Sequence, residues 1–424
     1  ATLPIELPGL LKNNQYEKAL NSQYIAWSAD FCLGFIIFIG LIIAAFFQSS
    51  ILIKNLLIIG ALVYAVQMVA QYLHSMNWVR LRFSKLAKVQ LYITIVPTVL
   101  TLLLLYWFKI YTLLLVPLIS GIINIILLLR IRGVSFEFRF ERKELFRLMR
   151  TGIVLTLASI LYAGFVGIVD NTIISKYLSF EQLGLFIFAY TFMSMILQGF
   201  KDFGDVLTPI LYGNLETASS DLDAFKNLNK IAIYFSILSC ITMTLSQIGF
   251  IILVGKITIK YSASKLVFIF LSTQIFLGAM SIIPSLILQS NRVKKEKLVL
   301  IAISVGLLLN IIFDIIVMKL GYGIVGVAIV TTATQGFVNI LMYFFSRKYI
   351  TSSTKHYFLF ILKLITPFVF AIILTFINWV ILKYFETWSF VGLSTVINLT
   401  VWTILVLTFY PDHFNKSKLK MFKN

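Results

Sequence analysis

Two acidic side chains lie inside apolar stretches of the sequence, where a charge is costly. Asp170 follows nineteen uncharged residues, 151–169, and Asp314 lies in the apolar stretch 298–319. A carboxylate near the centre of a bilayer costs about 2.5–3.5 kcal/mol on insertion scales, so it usually faces a protein interior or a water-filled path. Asn310 precedes Asp314 by one helical turn and shares its face. Two carboxylates at similar depth on separate helices predict a site for a proton or a sodium ion; the alternative is that each is held structurally by a nearby lysine or hydroxyl group.

Five further polar residues are candidates for contact with a substrate. Lys176, Lys201 and Lys363 lie near the ends of apolar segments, where an ammonium group can meet a phosphate as a point charge. The competing interpretation is that these lysines extend to the membrane surface. Gln335 and Asn339 lie within an apolar segment, where they either contact sugar hydroxyls or form interhelical hydrogen bonds.

Nothing in the sequence has the spacing of a catalytic or metal site. The histidines are scattered, at His74, His356 and His413. Cys32 and Cys240 each lie in an apolar run and are interpreted as small hydrophobic residues rather than a disulfide or metal ligands. We therefore expect no catalytic residue, no metal ligand and no cofactor beyond a coupling ion, H⁺ or Na⁺, and hence not an enzyme.

The composition excludes an ordinary soluble protein. The chain has 424 residues, of which 59% are hydrophobic and 12% charged, whereas a soluble domain is about 45–50% apolar and about 25% charged. A membrane-spanning helix needs about 20 apolar residues. The sequence predicts an all-α polytopic membrane protein with about twelve transmembrane helices, at 25–47, 51–73, 89–108, 110–129, 151–175, 183–206, 228–255, 265–288, 298–319, 324–345, 359–382 and 388–410.

The basic residues indicate how the chain crosses the membrane. Alternate loops, counted from 1–24, contain 27 of the 36 lysines and arginines. Because basic loops remain in the cytoplasm, both ends of this chain are predicted to be cytoplasmic. The net charge of +19 therefore reflects topology and does not require a nucleic-acid partner.

The predicted segments group into six parts. These are a cytoplasmic interfacial segment, an incomplete N-terminal helical lobe, a basic cytoplasmic linker, a C-terminal helical lobe, an additional transmembrane helix pair and a basic cytoplasmic tail. Their ranges are 1–24, 25–129, 130–150, 151–345, 346–410 and 411–424.

Two blocks of sequence resemble one family. The block GIVDNTIISKYLSFEQLGLFIFAY (167–190) resembles the segment that opens the second half of Wzx-type oligosaccharide flippases, which are the polysaccharide-biosynthesis branch of the multidrug/oligosaccharidyl-lipid/polysaccharide (MOP, MATE-like) exporter superfamily. The block LQSNRVKKEKLVLIAISVGLLLNIIFDIIVMKLGYGIVGVAIVTTATQ (288–335) is similar to the basic loop, Asn-bearing helix and small-residue helix of that family. The family often has a basic residue after the aspartate, where this chain has Asn171. Residues 1–23 are similar to the segment that comes after the second helix of the family, which implies that the first two helices are missing.

The resemblance implies both a fold and a function. The fold is two MATE-like lobes with an extra C-terminal helix pair. The function is translocation of a polyprenyl-diphosphate-linked oligosaccharide, such as an O-antigen or lipopolysaccharide unit, across the bacterial inner membrane by ion-coupled alternating access. The implied partners are that lipid-linked oligosaccharide, membrane lipids, and the polysaccharide polymerase and chain-length machinery.

Two other functions remain open. A drug or metabolite exporter of the MATE type would share the fold and differ in its substrate. A membrane polysaccharide polymerase or glycosyltransferase would need catalytic groups in a sizeable outer loop or soluble domain, and the predicted outer loops are very short. We therefore rank the enzyme below both transporters.

Overall fold

The computed structural model describes residues 3–80, 82–131, 136–217, 221–351, 353–384 and 387–410. The predicted cytoplasmic tail, with His413, lies outside these residues. In the described part of the chain all regular structure is helical. Fourteen α-helices run Leu3–Lys12 (α1), Tyr16–Phe46 (α2), Ile51–Val79 (α3), Phe83–Phe108 (α4), Thr112–Leu129 (α5), Arg142–Ala163 (α6), Val169–Tyr177 (α7), Phe180–Thr217 (α8), Asp221–Ile252 (α9), Lys265–Gln289 (α10), Glu296–Lys319 (α11), Gly323–Ile350 (α12), Thr354–Tyr384 (α13) and Thr387–Phe409 (α14).

The helices confirm an all-α polytopic membrane protein. Eleven stretches of the described residues are long and apolar enough to cross a membrane. The sequence predicted about twelve. The predicted segments 89–108 and 110–129 correspond to α4 and α5, two separate helices that pack against each other, and the apolar stretch Leu103–Leu129 counts once across them.

The chain divides into two compact units. The first comprises Ala1–Ile153 and Val206–Glu216. Within it α3 packs against α2 and α5, and α5 against α4. A small aromatic core lies between the start of α2 and the end of α3, at the end of the unit that is predicted to face the cytoplasm. There the rings of Trp27 and Tyr72 lie 4.5 Å apart, and Met76 is buried beside them.

The segment before α6 is fastened to α2. The ring of Phe136 lies 5.1 Å from that of Trp27, and the ring of Phe138 lies 5.2 Å from that of Phe31. The backbone N–H of Arg139 donates to Ser28 Oγ at 2.9 Å. These contacts hold this part of the predicted linker against α2, so one side of the Phe136 and Phe138 rings packs on protein.

Polar contacts tie α1 to the start of α6. Arg147 donates from Nη1 and Nη2 to the two carboxylate oxygens of Glu6, at 2.7 and 2.6 Å. It also pairs with Glu144, which accepts from Ser22 at 3.0 Å. A two-point arginine–carboxylate pair fixes orientation as well as distance, so α1 is locked in place relative to α6.

The second unit comprises Val154–Asp205 and Thr217–Asn424. Its centre is α10, which packs between α9 and α12. Two side chains of α12 fix the register: Thr332 Oγ1 donates to the Phe270 carbonyl at 3.2 Å, and Asn339 Nδ2 to the Leu277 carbonyl at 2.7 Å. Both pairs are 62 positions apart, so the two helices run parallel.

The C-terminal helices α13 and α14 attach to α9. Ser236 of α9 donates to the Leu364 carbonyl at 2.6 Å, and Trp402 of α14 donates to Thr244 Oγ1 at 3.0 Å. The two helices join each other through Asn398 and Asn378, whose side-chain amides are 3.0 Å apart. Hydrogen bonds of this kind stabilise helix association in a membrane, where apolar contact alone gives no preference over lipid.

Candidate functional site

Asp170 lies in the first turn of a short helix that follows an irregular turn. The sequence predicted one span over 151–175, but α6 ends at Ala163, a π-helical segment covers Gly164–Ile168, and α7 begins at Val169. Gly167 has φ +127° in that segment. A π-helical turn inserts an extra residue into the helix and is frequent at functional sites. The Asp170 side chain therefore points in a different direction from the one it would have in a continuous helix.

Four buried polar side chains meet at one place in the second unit. Asp170, Asn310 and Asp314 are fully buried, and Thr331 is 1% exposed. Thr331 Oγ1 donates to Asp170 Oδ2 at 2.9 Å, and Asn310 Nδ2 donates to Thr331 Oγ1 at 3.4 Å. The carboxyl groups of Asp170 and Asp314 are close enough to interact directly. The structure thus brings together the three residues that the sequence singled out for an ion.

Several oxygens of this group accept no hydrogen bond from an N–H or hydroxyl group of the described structure. They are Asp170 Oδ1, both carboxyl oxygens of Asp314, and Asn310 Oδ1. A buried polar atom without a partner costs about 1–3 kcal/mol, and more if it is charged. Neither carboxyl group interacts with a basic side chain in the part of the chain that the structure describes. The group therefore lacks a positive charge, and its unpaired atoms are oxygens, the ligand type that hard cations prefer.

Thr331 is the member of the group that sequence reasoning missed. Its hydroxyl also lies 2.9 Å from the carbonyl of Val327, one turn earlier on α12. The sequence feature that could have indicated Thr331 is its spacing. Thr331, Gln335 and Asn339 follow one another at four-residue intervals, so they share a face of α12. A polar stripe on an apolar helix was visible, but the sequence does not say which helix it meets.

Gln335 and Asn339 are inside the second unit in this structure. Gln335 is 2% exposed, and neither polar atom of its side chain has a partner among the described residues. Asn339 uses its Nδ2 on the Leu277 carbonyl. By the register of α10 and α12, Gln274 lies level with Gln335, and its Nε2 is likewise unpartnered. A polar column thus continues along α12 from Thr331.

The three candidate lysines are placed differently from one another. Lys176 and Lys363 are exposed on α7 and α13. Lys201 is half-buried on α8, with its Nζ 5.2 Å from the centre of the Tyr162 ring. The structure thus places none of these lysines with the Asp170–Asp314 group, whose carboxyls have no basic neighbour in the described chain.

The fold is one that known transporters share. Three solved structures illustrate it. A multidrug resistance MATE family transporter of the MOP superfamily, in its outward-facing conformation, matches with a TM-score of 0.67 and 14% identity over 82% of each chain. The lipid II flippase MurJ matches with a TM-score of 0.61 and 18% identity over 98% of this chain and 92% of its own. A MOP superfamily transporter from Pyrococcus furiosus matches with a TM-score of 0.61 and 13% identity over 82% of each chain.

A match to a sequence family adds to the evidence from the fold. Residues 12–243 match the model of a family described as polysaccharide biosynthesis protein, and the chain belongs to that family. No curated protein matches the sequence. Family and fold together support a membrane transporter or flippase.

Proposed function

We propose that this chain is a Wzx-type flippase, which moves a polyprenyl-diphosphate-linked oligosaccharide across the bacterial inner membrane and is driven by an ion. Membership in a polysaccharide biosynthesis family supports a glycan substrate. The fold, shared with a lipid II flippase and with MATE transporters, supports movement across the membrane without catalysis. Its partners are then the lipid-linked oligosaccharide, membrane lipids, and the polymerase and chain-length machinery.

The buried pair of carboxyl groups is the main support for coupling between an ion and transport. Two carboxylates cannot both stay charged side by side in an apolar interior without a counter-charge. A proton shared by the pair, or a sodium ion bound by the Asp170, Asn310 and Asp314 oxygens, supplies it. An ion drives a conformational change only when it binds one state more tightly than another. Here the binding state is the one in which these side chains, from α7 and α11, meet Thr331 of α12.

The extent of the structural match favours a flippase over a drug exporter. The MATE transporter aligns with 82% of this chain, whereas the lipid II flippase aligns with 98%. The flippase comparison thus leaves almost none of the chain unmatched. A MATE-type exporter of drugs or metabolites is the second candidate, because the MATE transporter has the higher TM-score.

Flipping in reconstituted vesicles tests both candidates. The purified full chain is placed in liposomes with a fluorescent polyprenyl-diphosphate oligosaccharide, and substrate in the outer leaflet is quantified with a membrane-impermeant glycosidase. We expect faster exchange than in empty liposomes, and no export of a cationic dye from the same vesicles. Imposing a Na⁺ gradient at constant pH, or a pH gradient without Na⁺, identifies the ion. Dye export with no lipid flipping would establish the drug exporter instead.

The proposed orientation, with both ends of this chain in the cytoplasm, is tested by cysteine labelling. In a Cys32→Ser, Cys240→Ser background, Lys143→Cys and Lys295→Cys introduce thiols at exposed positions of predicted inner loops, and Lys176→Cys does so at a predicted outer loop. An impermeant maleimide is expected to label position 176 in intact cells, and positions 143 and 295 only after permeabilisation. The reverse pattern would invert the topology without changing the fold.

A further inference from the structure

A pocket at one end of the first unit lies apart from the carboxyl group described above. It has a volume of about 350 Å³ and lies where α1, the start of α2 and the end of α3 meet. That volume is in the range of small-molecule sites, about 300–1,000 Å³. Its lining combines two arginines and an amide with an apolar wall, namely Arg80, Arg82, Gln23, Leu7, Leu11, Leu20, Tyr16, Ala19, Met76 and Val79.

Arg80 is held in this pocket by a neutral group. Its Nη2 donates to Gln23 Oε1 at 3.4 Å, and Gln23 Nε2 in turn donates to the Tyr72 hydroxyl at 3.1 Å. In the described structure Arg80 forms no ion pair with a carboxylate. Burial, and then the nearby charge of Arg82, lower the pKa of Arg80. A half-buried guanidinium beside a like charge is stabilised by an anion that reaches it.

The neighbouring carboxylates are committed elsewhere. Glu6 precedes the pocket residue Leu7 but holds Arg147 with both of its oxygens. Glu144 also pairs with Arg147. Glu6 and Glu144 thus form a separate network with Arg147 and leave Arg80 without an acidic partner in the described structure.

The position of the pocket relative to the membrane indicates the kind of anion. The apolar stretch Ile51–Val79 ends immediately before Arg80, which places the guanidinium at the level of lipid headgroups. The wall formed by Leu7, Leu11 and Met76 is apolar. A ligand that matches both parts has a phosphate at one end and a hydrocarbon chain at the other.

We propose that this pocket binds the phosphate headgroup of an anionic membrane phospholipid. Arg80 and Arg82 meet the phosphate, and Gln23 orients Arg80 towards it. The apolar wall receives the first part of an acyl chain. Basic pockets between membrane helices bind anionic headgroups in this way. The site is independent of the proposed flipping activity, because it lies in the first unit and shares no residue with the carboxyl group.

The test measures lipid binding by the purified full chain. The chain is held in a neutral detergent and titrated with dioctanoyl phosphatidylglycerol, dioctanoyl phosphatidylcholine, a short-chain polyprenyl diphosphate or inorganic phosphate, and its thermal midpoint is followed. We expect phosphatidylglycerol to stabilise the protein at concentrations where phosphatidylcholine and inorganic phosphate do not. Arg80→Gln with Arg82→Gln is expected to weaken that binding roughly 30-fold, since two charges near the surface are lost.

The matched control removes the same charge from the same region. Lys85 and Lys88 are exposed at the start of α4 and do not line the pocket, so Lys85→Gln with Lys88→Gln is expected to bind like the parent chain. Equal loss in both double variants would overturn the site, because it would show attraction by general surface charge. Tighter binding of the polyprenyl diphosphate, or equal stabilisation by inorganic phosphate, would overturn a phospholipid as the occupant.

A more conservative double variant keeps the test valid if the Gln double variant does not fold. Arg80→Lys with Arg82→Lys keeps both charges but loses the forked guanidinium geometry. We expect it to fold and to bind phosphatidylglycerol more weakly than the parent chain but more tightly than the Gln variant. Unchanged binding in the Gln variant, or no discrimination between the two phospholipids by the parent chain, would contradict the proposal.

Discussion

Asp170→Asn and Asp314→Asn are each expected to reduce ion-driven flipping roughly 10- to 100-fold, the effect of removing one charged partner from a buried site. Asparagine has nearly the shape of aspartate but neither takes up a proton nor carries the charge that holds a cation. The measurement is the liposome assay with an imposed ion gradient, alongside surface glycan in cells whose own flippase is deleted. Protein abundance is quantified in the same cells.

Stability separates a functional role from a structural one. The two carboxyl groups are buried together without a basic partner in the described chain, so removing one charge relieves a desolvation cost and a like-charge repulsion. Each single variant is therefore expected to unfold at the same temperature as the parent chain or higher, while losing transport. Residues at functional sites commonly show this exchange of stability for activity.

Two further variants test whether the loss of transport is specific to the Asp170–Asp314 pair. Asp202→Asn on α8 makes the same chemical change at an exposed position, and its transport is expected to be normal. The Asp170→Asn, Asp314→Asn double variant is expected to lose little more than either single variant, because residues of one site are not additive. Normal flipping by either single variant, or a marked loss of stability with each, would remove the pair from the mechanism.

Much of the fold could be predicted from the sequence, because membrane helices are local features. Long uncharged segments have to be helical in lipid, where every backbone polar group needs an internal partner. The same logic singled out Asp170 and Asp314, since a charge in such a segment is costly. The four-residue spacing of Asn310 and Asp314 likewise puts two site residues on one face of α11.

What the sequence could not supply is the register between helices. Thr331 reaches Asp170 across 161 positions of chain, and nothing local to either residue indicates that pairing. The docking of Phe136 and Phe138 on α2 was equally hidden, because alternating basic and aromatic residues also suit a membrane surface. In both cases the partner lies on another helix, and helical periodicity describes one helix at a time.

The π-helical segment before Asp170 was also invisible to periodicity, and its geometry depends on one glycine. Gly167 has φ +127°, and a Cβ added there would lie 2.9 Å from the hydroxyl oxygen of Tyr190. Tyr190 is near enough to Asp170 to feel its charge. The absent side chain of Gly167 therefore permits both the backbone conformation and the close approach of the Tyr190 ring beside the carboxyl pair.

Gly167→Ala is accordingly expected to impair both folding and transport. The backbone conformation alone costs about 1–3 kcal/mol for a residue with a Cβ, and the contact with Tyr190 adds to it. Gly164→Ala is the matched control, because it lies in the same π-helical segment and its Cβ meets nothing within 4 Å. The measurements are the thermal midpoint of the purified chain and the liposome flipping rate, with the control expected to resemble the parent chain in both.

A second substitution distinguishes the two causes. Tyr190→Ala removes the ring that the new Cβ would meet but leaves the φ of position 167 unchanged. If the backbone conformation dominates, the Gly167→Ala, Tyr190→Ala double variant remains as unstable as Gly167→Ala, and if crowding dominates, it recovers. We expect little recovery, because φ +127° disfavours any side chain at position 167 whatever space surrounds it. Parent-like stability and transport of Gly167→Ala would show that α7 can present Asp170 to Thr331 without this turn.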